Sequence, residues 1–126
     1  MPDRVVLDTN IVIGLLKKSP ATVERFLGLL ENKTTFLICP IVVAEVYAGA
    51  FKREYKDIEA LFDLCARIST DIDTGRIAGL YAQQYGKAFQ GISLEDYLLA
   101  ATARTHSCPL WTGNRKHYPM DDVELF

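Results

Sequence analysis

Residues 4–8 read Arg-Val-Val-Leu-Asp, and this run is the starting point for the fold. Its consecutive apolar residues are typical of a parallel strand that is covered on both faces. Ser19-Pro20 then predicts a helix that ends at Asn32, because Pro is favoured at the first helical position. Residues 36–39 predict a second strand, and Pro40 predicts the start of the next helix. Strands and helices therefore alternate from the start of the chain.

The remainder of the chain continues this alternation. Three more helices and three more strands are predicted: helices over residues 58–65, from Asp73 to before Gly91, and over residues 94–103 after a Ser93 cap; strands at residues 67–70, 110–112 and 123–126. Alternating elements of this kind predict an α/β fold with a mostly parallel sheet of four to five strands and helices on both faces.

Length and composition restrict the class of protein. A chain of 126 residues with 49% hydrophobic residues suits a single domain covering residues 1–126. No apolar run approaches the roughly 18 residues of a membrane span, so we expect a soluble, cytoplasmic protein. Cys39, Cys65 and Cys108 are an odd number without a Cys-x-x-Cys pattern, which predicts free thiols. The net charge of -2 means that any attraction to nucleic acid must be local.

Asp8 is the first candidate for chemistry, because it ends the predicted first strand. Open parallel sheets bind ligands beyond the carboxyl ends of their strands. The following turn reads Asp8-Thr9-Asn10 and lacks the glycine pattern of dinucleotide-binding and nucleotide-hydrolysing proteins. The alternative is that Asp8 only starts a turn or caps the next segment.

Two further carboxylates in predicted helices are candidates for chemistry. Glu45 is the only charged residue between residues 41 and 48, and a carboxylate among apolar neighbours is costly unless something binds it. The alternative for Glu45 is a solvent-facing position. Asp96 follows Ser93 by three residues, so it belongs either to a ligand site or to a capping box. Convergence of Asp8, Glu45 and Asp96 would require a hard cation such as Mg²⁺ or Mn²⁺, which indicates phosphodiester hydrolysis.

Several other residues are candidates for supporting roles. Uncharged side chains that could orient ligands or water are Thr9, Asn10, Thr112 and Asn114. Basic residues in predicted loops or helix ends could contact phosphates, or could simply be solvated charge: Lys52, Arg53, Arg115 and Lys116. Neither His106 nor His117 has a partner at metal-ligand spacing, and both are expected to be structural.

Four segments together resemble the PIN-domain ribonucleases, and within them the small VapC toxins of VapBC toxin-antitoxin pairs. They are Val6-Leu-Asp8-Thr-Asn10, Pro40-Ile-Val-Val-Ala-Glu45-Val-Tyr-Ala-Gly49, Ser93-Leu-Glu-Asp96-Tyr-Leu-Leu-Ala-Ala-Thr-Ala103 and Thr112-Gly-Asn114-Arg-Lys-His-Tyr118. The resemblance covers nearly the whole chain and implies a three-layer PIN-like fold.

The resemblance also implies an activity and partners. It implies an endoribonuclease dependent on Mg²⁺ or Mn²⁺, with Asp8, Glu45 and Asp96 as the acidic ligands. Many relatives have a fourth acid near the position of Asn114, so the number of metal ions stays open. Relatives typically form homodimers and are silenced by a small antitoxin that covers the acidic site, often with a basic side chain.

Two alternatives to this function follow from the residues. One is a domain of the same architecture that binds RNA or a protein without cleaving; retention of all three acids argues against it. The other is phosphoryl transfer through an aspartyl-phosphate at Asp8. That chemistry usually needs a second acid two residues later, where this chain has Asn10.

Overall fold

A four-stranded parallel sheet forms the centre of the computed structural model, which describes residues 1–126. The strand order is β3-β2-β1-β4, with β1 at Arg4–Leu7, β2 at Thr35–Ile38, β3 at Ala66–Arg67 and β4 at Leu110–Trp111. Neighbouring strands are all parallel, and β1 pairs with both β2 and β4. The carboxyl end of β1 therefore lies between two neighbours, where the sequence predicts a ligand site.

Six α-helices surround the sheet. They are α1 (Thr9–Leu16), α2 (Pro20–Glu31), α3 (Pro40–Ala48), α4 (Tyr55–Phe62), α5 (Ile72–Tyr85) and α6 (Leu94–Thr105); short 3₁₀ turns occupy Lys52–Glu54 and Arg115–His117. Successive strand residues point to opposite faces of a sheet, yet Val5, Val6 and Leu7 are all 0% exposed. Both faces of the sheet are therefore covered, and the predicted α/β fold is confirmed.

Local signals at helix starts predict the observed boundaries well. Helix α2 runs from Pro20 to Glu31 after Ser19, α3 begins at Pro40, and α6 begins after its Ser93 cap. Each start depends on the residue at the first helical position or just before it, which is why the sequence alone reveals it.

Several boundaries differ from the prediction. Helix α4 runs over Tyr55–Phe62 where residues 58–65 are predicted, and β3 covers only Ala66–Arg67 where residues 67–70 are predicted, since only these two residues pair with β2. Helix α1 occupies residues that the sequence does not predict as helical, because Asp8-Thr9-Asn10 resembles a turn. Helix α5 is capped by Asp71 and not by Asp73: the Asp71 carboxylate accepts the Thr74 N–H at 2.8 Å, which also lowers the pKa of Asp71. The same helix ends at Tyr85, short of the position before Gly91.

The predicted last strand is reduced to a single bridge between Leu110 and Leu125. Leu110 donates its N–H to the Glu124 carbonyl, and Phe126 donates to the Leu110 carbonyl, both at 2.8 Å. The C-terminal residues thus lie along the outer edge of β4 without forming a regular strand.

The buried hydrophobic residues form one core cluster of 28 side chains. Cys39 and Cys108 belong to this cluster, Cys65 is half-buried, and all three thiols are free, as predicted. Burial raises the pKa of Cys65 to about 11. None of the helices combines the length and apolar character that a membrane crossing would need.

Candidate active site

Asp8 lies at the carboxyl end of β1 and also caps α1. Its Oδ1 accepts the backbone N–H of Thr9 at 2.7 Å, and its Oδ2 accepts the Thr112 hydroxyl at 2.7 Å and the Asn10 amide at 3.3 Å. The residue is only 6% exposed, so these donors replace the water that a carboxylate would otherwise bind. Asp8 thus combines a helix cap with a position at the expected ligand edge.

Asp96 is part of a complete capping box at the start of α6. Its N–H donates to Ser93 Oγ at 3.3 Å, and its Oδ2 accepts the Ser93 N–H at 3.1 Å. The capping interpretation of Asp96 is therefore confirmed. The same carboxylate also faces the interior of the site, where it meets a residue from the C-terminal part of the chain.

Tyr118 connects Asp96 to Asp8, and the sequence analysis does not identify it. Its hydroxyl oxygen lies 3.0 Å from Asp8 Oδ2 and 3.3 Å from Asp96 Oδ1, and the residue is 4% exposed. Burial, followed by the charges of the two acids, raises the pKa of Tyr118 far above its ordinary value. The hydroxyl therefore keeps its proton and acts as a hydrogen-bond donor between the two carboxylates.

Glu45 lies beside this pair but remains exposed on α3. The Thr9 hydroxyl donates to Glu45 Oε1 at 2.8 Å, while the Thr9 N–H donates to Asp8. Glu45 is thus exposed to solvent, as one of its two interpretations predicts. It is nevertheless connected to Asp8 through Thr9. We refer to Asp8, Glu45 and Asp96 as the acidic cluster.

The loop after β4 is held against the start of α1 by polar contacts. The Thr112 hydroxyl accepts the Asn114 N–H at 2.9 Å, which directs the hydroxyl proton toward Asp8. Asn10 Oδ1 accepts the Gly113 N–H at 2.9 Å, and a Cβ at Gly113 would lie 3.3 Å from that oxygen. These predicted supporting residues therefore act mainly by orienting one another and Asp8.

His117, which the sequence predicts to be structural, lies at the acidic cluster. Its Nδ1 is 2.9 Å from Asp96 Oδ2 and 3.0 Å from the Asn114 side-chain amide. The same nitrogen cannot donate to Asp96 and accept from Asn114 at once, so one protonation state satisfies only one of these contacts. His106, by contrast, directly follows α6, and its backbone carbonyl accepts a hydrogen bond from Arg4.

Comparison with known proteins identifies the family. A family model described as the PIN domain matches residues 5–123. Ribonuclease VapC19 of Mycobacterium tuberculosis H37Rv is 32% identical over 115 residues, which cover 91% of this chain and 92% of VapC19. The chain belongs to the PIN-domain family, among its VapC ribonucleases. Ribonuclease VapC2 of Haemophilus influenzae Rd is similar too, 31% identical over 121 residues that cover 91% of this chain and 89% of VapC2.

Solved structures show the same PIN fold. The chain is similar to a chain in VapBC2 from Rickettsia felis bound to a promoter DNA fragment, with a TM-score of 0.83, 24% identity, and coverage of 98% of this chain and 97% of the other. For DNA-bound VapBC from Salmonella typhimurium the TM-score is 0.84 at 18% identity, with coverage of 98% and 96%. Similarity at these identities concerns the fold alone, and it agrees with the family assignment.

The acids of this PIN domain suit a hard cation that retains much of its water. No three Asp, Glu, His or Cys side chains lie close enough to hold one ion directly. Mg²⁺ commonly takes only one or two carboxylates and keeps several waters. Asp8 and Asp96, which both contact the Tyr118 hydroxyl, provide two such carboxylates, and Glu45 is connected to Asp8 through Thr9. The donor set therefore fits Mg²⁺ or Mn²⁺.

The predicted basic residues fall into two exposed pairs. Arg115 and Lys116 (the 115–116 pair) lie on the 3₁₀ turn that leads directly into His117 and Tyr118. Lys52 and Arg53 (the 52–53 pair) lie on the 3₁₀ turn after α3, where the Arg53 guanidinium is 4.7 Å from the centre of the Phe51 ring. Only the 115–116 pair shares a turn with a residue that touches the acidic cluster.

Proposed function

We propose that this PIN domain is a divalent-metal-dependent endoribonuclease that hydrolyses RNA phosphodiester bonds, the toxin of a VapBC pair. Membership of the VapC family supports the activity, since its relatives carry the name ribonuclease. The observation that carries the proposal is the meeting of Asp8 and Asp96 at one buried hydroxyl, at the edge of the sheet where α/β proteins bind ligands.

In this proposal Asp8 and Asp96 hold the cation, and Glu45 contributes from α3. When bound, Mg²⁺ or Mn²⁺ offsets negative charge on the phosphodiester and makes a water more acidic. Thr112 and Asn10 keep the Asp8 carboxylate in one orientation through the contacts described above.

The RNA is proposed to reach the site along exposed cations. The 115–116 pair precedes Tyr118 in the chain, and the 52–53 pair follows the helix that carries Glu45. Because the net charge is -2, such local cations are needed to offset the repulsion between the RNA backbone and the acids.

We also propose two protein partners. VapBC2 from Rickettsia felis and VapBC from Salmonella typhimurium were solved bound to DNA, and VapBC-5 from Mycobacterium tuberculosis is described as a member of the VapBC family of toxin-antitoxin systems; this supports a cognate antitoxin for this chain. An antitoxin that places a basic side chain among the acids would occupy the position of the cation. A homodimer is proposed on the resemblance to the family.

The activity is tested with single-stranded RNA in Mg²⁺, in Mn²⁺ and in excess chelator. Asp8→Asn, Glu45→Gln and Asp96→Asn are each expected to lower the cleavage rate by several orders of magnitude, because each removes charge from one cluster. Glu95→Gln is the matched control, since Glu95 is an exposed acid in the same first turn of α6. Cleavage that continues in chelator, or equal loss in Glu95→Gln, would contradict the proposal. An RNA that binds to the wild type but is never cut would favour the non-cleaving alternative.

A further inference from the structure

We propose that the Tyr118 hydroxyl substitutes for a bound cation when the acidic cluster holds none, and therefore competes with the metal for Asp8 and Asp96. The inference rests on the proposed function, since it requires that these acids bind a divalent cation. It assigns to Tyr118 a role in the metal-free protein that acts through the two carboxylates and opposes metal binding.

The first observation is the position of the hydroxyl between two acids that come from distant parts of the chain. Tyr118 is separated from Asp8 by 110 residues and from Asp96 by 22 residues, yet one oxygen atom reaches both carboxylates. The residue is buried, so water does not easily replace this contact. A phenylalanine ring has the same shape, so the structure requires the hydroxyl only for these two contacts.

The second observation is the unequal supply of donors at the two carboxylate oxygens that face Tyr118. The other oxygen of Asp96, Oδ2, accepts the Ser93 N–H and lies 2.9 Å from His117 Nδ1. Asp8 Oδ2 accepts hydrogen bonds from Thr112 and Asn10 in addition to Tyr118. Asp96 Oδ1 has Tyr118 as its only hydrogen-bond donor. Because a hydroxyl carries one proton, it serves one carboxylate at a time and presents its oxygen to the other. The two oxygens that face Tyr118 therefore share its single proton, whereas a bound cation would attract both oxygens at once.

This arrangement has a consequence for metal binding that a purely structural hydroxyl would lack. Without a cation, loss of the hydroxyl leaves the repulsion between the two facing carboxylates less compensated. With a cation, the positive charge offsets that repulsion, and the hydroxyl contributes less to the free energy of folding. The free energies of folding and binding are linked, so a variant that is destabilised mainly in the metal-free form must bind the metal more tightly.

The experiment compares Tyr118→Phe with wild type by thermal melts in chelator and across a Mg²⁺ titration. In chelator the variant is expected to melt about 5 to 10 °C lower, because a hydrogen bond to a buried charge is removed. In saturating Mg²⁺ the difference should shrink to less than about half of that value. The Mg²⁺ concentration at which the melting temperature begins to rise should be about threefold to tenfold lower than for wild type.

Tyr97→Phe is the matched control. Tyr97 is 3% exposed, lies next to Asp96 on α6, and its buried hydroxyl has no hydrogen-bond partner. Removing that hydroxyl should change the melting temperature by the same small amount in chelator and in Mg²⁺. The control therefore separates the removal of a buried hydroxyl from the removal of a hydrogen bond to the two acids.

Each outcome decides the inference. Equal destabilisation of Tyr118→Phe with and without Mg²⁺ overturns it, and so does a higher Mg²⁺ requirement, which would mean that the hydroxyl positions the acids for the metal. A Tyr118→Phe protein that folds only in Mg²⁺ is the extreme form of the expected result, whereas one that folds in neither condition overturns it. These failures leave the proposed function intact. A wild type whose melting is indifferent to Mg²⁺ and Mn²⁺ contradicts metal binding itself, and with it both proposals.

Discussion

Replacing Asp96 by Asn tests the two roles of this carboxylate against each other. As a cap, its charge stabilises the start of α6 by about 0.3 to 1 kcal/mol. The amide oxygen of Asn can still accept the Ser93 N–H, but a neutral acceptor is weaker by about 1 kcal/mol. Loss of the carboxylate should therefore lower the stability by about 1 to 2 kcal/mol if capping were its only role.

Repulsion within the acidic cluster acts in the opposite direction. The facing oxygens of Asp8 and Asp96 are within 3.0 and 3.3 Å of one hydroxyl, and the Asp96 side chain is 21% exposed. Two unit charges at most about 6 Å apart repel by about 3 kcal/mol at an effective dielectric constant of about 20. Relief of this repulsion exceeds the loss of the cap by about 1 kcal/mol, so Asp96→Asn should melt about 4 °C higher in chelator.

Added Mg²⁺ should then reverse the order of the two proteins. A cation present at about 100 times its dissociation constant stabilises the wild type by about 2.7 kcal/mol, and Asp96→Asn should gain much less. The measurement is a set of thermal melts of wild type, Asp96→Asn and Glu95→Gln, each in chelator and in millimolar Mg²⁺. Glu95→Gln should lose only the small contribution of charge at the helix start. The reasoning would be refuted if Asp96→Asn melted lower than wild type in chelator and Mg²⁺ did not change the melting temperature of the wild type.

Two further predictions concern the surface and the thiols. Replacing the 115–116 pair by Ala should weaken RNA binding, with a smaller change for the 52–53 pair. The slope of log affinity against log salt concentration should fall by about 0.7 for each phosphate that the variant no longer neutralises. Fluorescence anisotropy at several salt concentrations measures this slope, and unchanged slopes for both pairs would place the RNA elsewhere. Cys65, whose pKa is raised to about 11, should react with iodoacetamide much more slowly in the native than in the unfolded protein at pH 8.5, with a native rate that rises until about pH 11; equal rates would contradict the burial of this thiol.

The parts of the fold that the sequence predicts correctly have local causes. Pro20, Pro40 and Ser93 each define a helix start through the conformation or hydrogen bonding of one residue. Helix α1 escapes prediction because its helical character is apparent only once Asp8 accepts the Thr9 N–H, and because its short apolar run does not distinguish a helix from a strand. The prediction of Asp73 as the cap of α5 is wrong because Asp71 and Asp73 are both acids close to the start of that helix.

The acids of the candidate site can be proposed from the sequence, but the groups that organise them cannot. An unusual carboxylate such as Glu45 is visible against its apolar neighbours. Tyr118 and His117 are ordinary residues of a polar loop until the chain folds and brings Asp96 to them from α6. The only signal in the sequence is their place at the end of the fourth segment that resembles the family. Long-range contacts of this kind depend on tertiary structure, which local patterns do not report.

The burial of Asp8 makes assembly of the site inseparable from folding. A buried carboxylate without donors costs several kcal/mol, so the chain must bring Thr112 and Tyr118 to it for the fold to be stable. Glu45 is exposed and carries no such penalty; the Thr9 hydroxyl is its only hydrogen-bond partner. The cluster therefore contains two carboxylates that the fold holds in place and one that can turn on the surface of α3. In the proposed function, that division lets the Glu45 carboxylate adjust to the cation without disturbing the core.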